Sequence, residues 1–268
     1  FRSGKKYCCT VICGHSSFYW IVSRWADENG FERKRNLMIQ ISNLSKKYGE
    51  TVVFSDLNYT FENACIYGLV GRNGAGKTTL LNILSNYDKN YTGVISIDRK
   101  KMNKVDYLDM PVAYAMDQPS FFNELTIYEN LLLIASSRKI KKQEAFDKIE
   151  RILDGLGLKK YENYSPLELS KGTMQRLNNA CAMIQEEKIT IFDEPFSGLD
   201  PVQMKLLENV IVEFHKKEKG IYIISSHDIE CLQNVCDKCL LLHNGQIREI
   251  NMEEVDREEI AKILSEGE

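Results

Sequence analysis

The chain has 268 residues, 43% of them hydrophobic, enough to fill one large core or two small ones, which excludes disorder as its default state. Its 35 basic and 38 acidic side chains give a formal charge of -3, so it carries no overall electrostatic footprint for wrapping nucleic acid. The eight cysteines, at 8, 9, 13, 65, 181, 231, 236 and 239, fall partly inside apolar runs and read as small reduced hydrophobes in a cytosolic setting.

In chain order, residues 7–23 lack charge but are interrupted by Gly14, His15, Ser16 and Ser17, too broken for a membrane span of about 20 apolar residues. A signal peptide is the weaker alternative there, since no small-residue cleavage site clearly follows. Residues 1–37 hold both tryptophans and no clear hydrophobic period, and they read as a leader or non-native extension, disordered, with Met38 as the natural start. A purine-codable "ERKR" just before Met38 fits that reading; a genuine disordered or partner-binding tail is the alternative.

From Met38 the pattern alternates. "MIQISNLSKKYG" opens as a strand, and "CIYGLV" (65–70), "GVISID" (93–98), "VAYAM" (112–116), "ITIF" (189–192), "IYIISS" (221–226) and "CLLLH" (239–243) follow as short apolar strands. Three helical patterns, beginning at Thr126, Lys141 and Ser170, succeed one another without a strand, which predicts a helical subdomain over about residues 120–185 inserted in an α/β core. "PVQMKLLENVIVEFHKKEKG" predicts a helix capped by Asp200, with Pro201 in its first turn and Gly220 as its stop. With Gly71-x-x-x-x-Gly76-Lys77-Thr78 lying between the 65–70 strand and a helix, the fold class expected is α/β: a P-loop NTPase core with a mostly parallel sheet, an N-terminal antiparallel β portion and the helical insertion. Cys236 and Cys239 form a CxxC pair, half of a zinc or redox site in other settings; no second pair has matching spacing, so core packing is expected. The charged segment 252–268 reads as an amphipathic surface helix.

Gly71-x-x-x-x-Gly76-Lys77-Thr78 sits where an apolar strand gives way to a helix, the order a phosphate-binding loop requires. Glycines let backbone N–H groups curl round an anion, and the helix N-terminus adds its partial positive charge. Gly71, Arg72, Asn73, Gly74, Ala75, Gly76, Lys77, Thr78 and Thr79 form the expected cradle, with Lys77 on the β- and γ-phosphates and Thr78 on Mg²⁺. "ITIFDEP" supplies the second half: Asp193 at a strand end to hold Mg²⁺, then Glu194 to orient or deprotonate a water.

With these two motifs, "LSKGTMQRL" (169–177), "SGLD" (197–200), Gln118 and His227 in this order, residues 38–250 resemble the ATP-binding subunit of an ABC transporter. The resemblance implies that Ser170 and Gly172 of the signature motif contact the γ-phosphate of ATP held by an opposite subunit. It implies that Gln118 touches Mg²⁺ and the attacking water, that His227 senses the γ-phosphate and that Tyr48 stacks on adenine. Lys171 and Thr173 depart from the family's glycine and glutamine; Lys171 either adds positive charge near the phosphate or is simply solvated. ATP and Mg²⁺ are the cofactors so implied. The implied partners are a second ATPase subunit and a separate membrane-spanning subunit, without nucleic acid, the chain lying in the cytoplasm, peripheral on the inner face of the cell membrane. "LSKG" and "SGLDP" make it more similar to exporter-type ATPases. A soluble single-cassette ATPase in an assembly role, and a regulator that binds ATP without hydrolysis, are the alternatives; Glu194 and His227 argue against the last.

Overall fold

A computed structural model describes residues 37–105, 110–227 and 229–251. The expectations for residues 1–36 and for a helix over 252–268 lie outside the described residues. Strands β1 (Met38–Tyr48) and β2 (Thr51–Glu62) pair as an antiparallel hairpin, and β4 (Thr92–Ile97) and β5 (Lys100–Lys101) extend it to a four-stranded sheet, order β2-β1-β4-β5. The run 93–98 thus joins the N-terminal sheet. The second sheet has six strands in the order β10-β9-β3-β8-β7-β6, formed by β3 (Cys65–Val70), β6 (Val112–Ala115), β7 (Ile189–Phe192), β8 (Ile221–Ser226), β9 (Lys238–His243) and β10 (Gln246–Ile250). All its pairings are parallel except β9 with β10, a hairpin at the edge.

Every residue of β3, β7 and β8 is buried, because successive side chains point to opposite faces and both faces are covered. Ile66, Val70, Phe192, Tyr222 and Ile224 meet the helices on one side; Tyr67, Leu69, Ile189, Ile191, Ile221 and Ile223 meet the antiparallel sheet on the other. Helix α1 (Lys77–Leu84) enters that second core through Leu80, Leu81, Ile83 and Leu84. Leu37, just before β1, is buried there too.

Between β6 and β7 the chain forms α2 (Ile127–Ser137), α3 (Lys142–Gly155) and α4 (Lys171–Met183) with no intervening strand. A capping box of Thr126 and Glu129 starts α2, and Ser170 caps α4. The buried Lys148 of α3 lies 2.6 Å from Glu186 and 3.6 Å from Glu218 of α5 (Pro201–Glu218). Such a buried pair adds little net stability, yet deleting one partner is costly because it leaves the other charge uncompensated.

Asp200 caps α5 as expected, accepting the Gln203 N–H at 2.8 Å. The stop differs from expectation: α5 ends at Glu218, and the left-handed residue is Lys219, with φ 52°. Gly220 is needed for space instead, because a side chain there runs into the Lys188 carbonyl. A four-residue helix, α6 (Glu230–Gln233), precedes the CxxC pair. Cys239 is buried and Cys236 packs beside Leu232 and Gly68; burial pushes the Cys239 thiol up to about 12 and Cys236 well above its usual range. Thiols so desolvated are poor nucleophiles. Among the described residues no helix is long and apolar enough to cross a membrane.

Candidate functional site

The loop 71–76 leaves β3 and feeds directly into α1, whose N-cap is Gly76. Gly76 has φ 101°, a region closed to other residues, and a Cβ on it would lie 2.7 Å from Val53 Cγ1 and 3.1 Å from the Phe54 ring. The loop is thereby pressed onto β2. Ala75 N–H donates to the Arg72 carbonyl at 3.1 Å, closing the bend. Asn73, Gly74 and Thr78 are exposed on its outer side, and Arg72, Ala75 and Thr79 are half-buried. Lys77, though buried, points back across the bend: its Nζ donates to the Gly71 carbonyl at 2.6 Å and the Arg72 carbonyl at 3.4 Å, and stands 3.5 Å from Glu194 Oε1.

Sheet register brings the carboxylates to this loop. Parallel pairing of Phe192 with Ile224 sets Asp193 beside Ser225, and pairing of Val70 with Ser226 sets the start of the loop beside the same strand end. The fully buried Ser225 hydroxyl donates to Asp193 Oδ1 at 2.6 Å and accepts the Glu194 N–H at 2.8 Å. Asp193 also bonds the Thr78 side chain, and Tyr114 Oη approaches both Asp193 Oδ2 (3.4 Å) and Asn82 Oδ1 (3.0 Å). Burial raises the Asp193 pKa above the usual carboxylate range; Ser225 and Thr78 oppose this, and the neighbouring charges of Glu194 and Asp117 add to it. Burial, followed by the Asp193 charge, also holds the Tyr114 hydroxyl protonated far above its ordinary range.

Glu194 has φ 49°, left-handed for a residue with a side chain, a strain of about 1–2 kcal/mol. Its carboxylate faces two cationic or polar groups, with Oε1 near Lys77 and Oε2 2.9 Å from His227 Nδ1. Lys77, Thr78, Asp193, Glu194 and His227 are therefore one contiguous group. The oxygen-only donor pair of Thr78 and Asp193 suits a hard divalent cation such as Mg²⁺, and the raised Asp193 pKa marks a buried carboxylate whose hydroxyl partners leave it undercompensated.

The remaining expected residues lie apart from that group. Gln118 is exposed in the bend after β6, and no hydrogen bond joins it to Asp193 or Glu194. Tyr48 is tied elsewhere, its hydroxyl 3.2 Å from Asp88 Oδ2 and the Lys46 ammonium 4.5 Å from its ring centroid. Gly172 packs on the 197–200 loop and α5, since a Cβ on it would lie 2.8 Å from the Gly198 carbonyl oxygen and 3.1 Å from Gln203 Oε1, while the exposed Ser170 caps the same helix by accepting the Thr173 N–H at 3.3 Å. The exposed Lys171 runs its stem beside Gly198. Gly172→Ala is a test of that packing. Helix propensity alone favours alanine by up to ~1 kcal/mol, whereas overpacking against backbone costs ~1–3 kcal/mol. Urea denaturation is expected to give net destabilisation; a stabilised variant shows that the α4 tip and the 197–200 loop are not held in contact.

Ser225, Tyr114 and Asn82 are site residues that motif reading missed. The one signal was the pair of serines that closes the apolar run "IYIISS", the first of them two positions before His227.

A family model described as "ABC transporter" matches residues 54–197. An uncharacterized ABC transporter ATP-binding protein of Methanocaldococcus jannaschii is 32% identical over 208 residues, which is 78% of this chain and 75% of the relative. The tungstate uptake system ATP-binding protein of Peptoclostridium acidaminophilum is 30% identical over 80% of this chain and 98% of its own length. The bacitracin transport ATP-binding protein of Enterococcus faecalis is 30% identical over 82% of this chain and 71% of its own. A solved ATP-binding subunit of an ABC transporter superposes with a TM-score of 0.73 at 26% identity, covering 85% of this chain and 95% of that one.

Proposed function

The chain belongs to the family of ABC transporter ATP-binding proteins, and from that premise we propose that it hydrolyses ATP with Mg²⁺ in a closed pair of cassettes and drives export through a separate membrane-spanning subunit. Members of this family generally hydrolyse ATP. The observation that carries the reading for this chain is the unbroken contact path from Lys77 through Glu194 to His227, with Asp193 and Thr78 joined beside it.

In this reading Lys77 exchanges the Gly71 and Arg72 carbonyls for β- and γ-phosphate oxygens, and the backbone of residues 71–76 encloses them. Thr78 and Asp193 would hold Mg²⁺, with Gln118 as a further oxygen donor; when bound, the ion would neutralise charge on the phosphate oxygens. Glu194, released from Lys77, accepts a proton from the attacking water, and His227 keeps its carboxylate aimed while facing the γ-phosphate. Tyr48 stacks on adenine. Ser170 and Gly172 of the second cassette cover the γ-phosphate with the N-terminus of α4. The subdivision into an extension over 1–37, whose last residue Leu37 already packs into the core, and an ATPase domain from 38 with a helical subdomain near 120–185 belongs to the same proposal, as does peripheral attachment at the cytoplasmic membrane face.

Relatives named for tungstate uptake and for bacitracin transport match about equally well, so direction rests on the "LSKG" and "SGLDP" stretches. The test is purification from native membranes, followed by phosphate release with and without Mg²⁺ and transport into inverted vesicles. Mg²⁺-dependent hydrolysis, a co-purifying multi-span protein and ATP-driven accumulation inside the vesicles are expected. Hydrolysis with no membrane protein attached overturns the transport role, and accumulation only in right-side-out vesicles overturns export.

A further inference from the structure

Helix α4 carries Ser170 at its tip and three amide side chains along one face. Gln175, Asn178 and Asn179 stand at i, i+3 and i+4, and all are buried, Asn179 completely. Each donates an N–H to a backbone carbonyl in a loop leaving the parallel sheet. Gln175 Nε2 reaches the Glu194 carbonyl at 3.2 Å, Asn179 Nδ2 the Pro195 carbonyl at 3.2 Å, and Asn178 Nδ2 the Met116 carbonyl at 2.7 Å, two positions before Gln118.

This face is polar where helix packing favours apolar residues, and it carries a penalty, since Asn179 Oδ1 is buried without a partner. We propose that Gln175, Asn178 and Asn179 are positioning residues that bind the helix behind Ser170 to the exits of β7 and β6, so that contact at the α4 tip moves Glu194 and the start of the Gln118 bend as one body.

The Glu194 peptide is pinned from both sides. Ser225 Oγ accepts its N–H, and Gln175 donates to its carbonyl, which also accepts the Ser197 N–H at 3.1 Å. Between these bonds the left-handed φ is maintained, and that φ turns the carboxylate to Lys77 and His227. With Gln175 and Asn179 bonded to the two peptides that follow Asp193, a shift of the α4 tip is transmitted to the peptide that carries the carboxylate. The Asn178 bond extends the same constraint to the other exit loop. Gly172 packed on Gly198 adds the 197–200 loop to the moving unit.

The inference rests on the reading of Ser170 and Gly172 as the γ-phosphate cover of an opposite cassette. Its test uses Gln175→Met and Asn178→Leu, which keep side-chain volume and delete the N–H, alone and in a Glu194→Gln background. A misplacement of ~1 Å costs up to ~100-fold in rate, so each variant is expected to lower kcat at least ~10-fold. The nucleotide Kd stays within about twofold, and ATP-driven pairing in the Glu194→Gln background is retained. Loss of thermal stability with unchanged kcat per folded molecule assigns the amides a structural role only and overturns the proposal. Loss of kcat, affinity and pairing together overturns it as well. Should the variants not fold, hydrogen exchange on the wild-type chain decides: protection at 170–175, 194–197 and 116–118 is expected to rise over one ATP range, and separate ranges refute the coupling. A wild-type chain that never pairs with ATP refutes the earlier reading instead, a result distinguishable from all of these.

Discussion

Glu194→Gln lowers ATP turnover by about 10²- to 10⁴-fold, the contribution of a positioned general base, while nucleotide affinity holds or rises. The substitution keeps length and shape, and the Gln carbonyl can still accept from His227, so the loop and β7 exit retain their geometry. What disappears is the charge. In the wild-type chain the Glu194 carboxylate stands 3.5 Å from Lys77 and competes with phosphate for that ammonium. Removing it frees Lys77 and relieves repulsion of a triphosphate by a carboxylate that is mostly buried. Phosphate release and binding of a fluorescent ATP analogue measure the two effects separately. Unchanged hydrolysis removes Glu194 from the base role, and lost affinity reassigns it to structural support of the loop.

Asp193→Asn drives stability and activity in opposite directions. In the absence of nucleotide and Mg²⁺ its Tm rises, because burial penalises the ionised carboxylate and Ser225 and Thr78 only partly offset this. The amide oxygen still accepts from Ser225, and the Tyr114 hydroxyl can accept the new N–H while donating to Asn82. The sign of the pH dependence follows from a folded-state pKa above the unfolded value. The penalty is absent below the unfolded pKa, near 3.9, grows as pH rises through the folded pKa, and is constant above it. The Tm difference between variant and wild type is therefore largest at neutral pH and closes towards pH 4. A chain of this length gains roughly 2–4 °C per kcal/mol recovered. Hydrolysis falls at least ~100-fold with loss of the cation ligand, whose contribution is several kcal/mol. Calorimetry from pH 4 to 8 with a parallel ATPase assay checks both; a wild type more stable than the variant at pH 7 contradicts the desolvation argument.

The parallel sheet was legible because β3, β7 and β8 are short, uninterrupted apolar runs, and burial on both faces imposes that composition. Strand β2 was not singled out. Its pairing with β1 is broken by register shifts between Ile41 and Lys47, with left-handed residues at Asn43 and Asp56, so the two-residue alternation loses phase. The stop of α5 was misplaced by one residue: Gly220 offered left-handed freedom, yet Lys219 adopts it, and the glycine serves the close approach to Lys188 instead.

The 71–79 loop and the Asp193-Glu194 pair stand out in the sequence because each is contiguous. Ser225, Tyr114 and Gln175 reach the same carboxylates only through strand register and helix docking, which leave no local pattern. Gly172 stands apart from them within one chain, packed on Gly198 and Gln203.

The inward-turned Lys77 makes anion recognition a substitution reaction. Its ammonium already has two carbonyl acceptors and a nearby carboxylate, so an incoming ion must replace several oxygens at once. A halide or a lone monoanion brings too few. A polyphosphate, spanning the bend with many acceptors, can do so, and Glu194 then loses the ammonium beside it. On the proposed reading, preference for long phosphate chains and release of the carboxylate are two results of one side chain's swing.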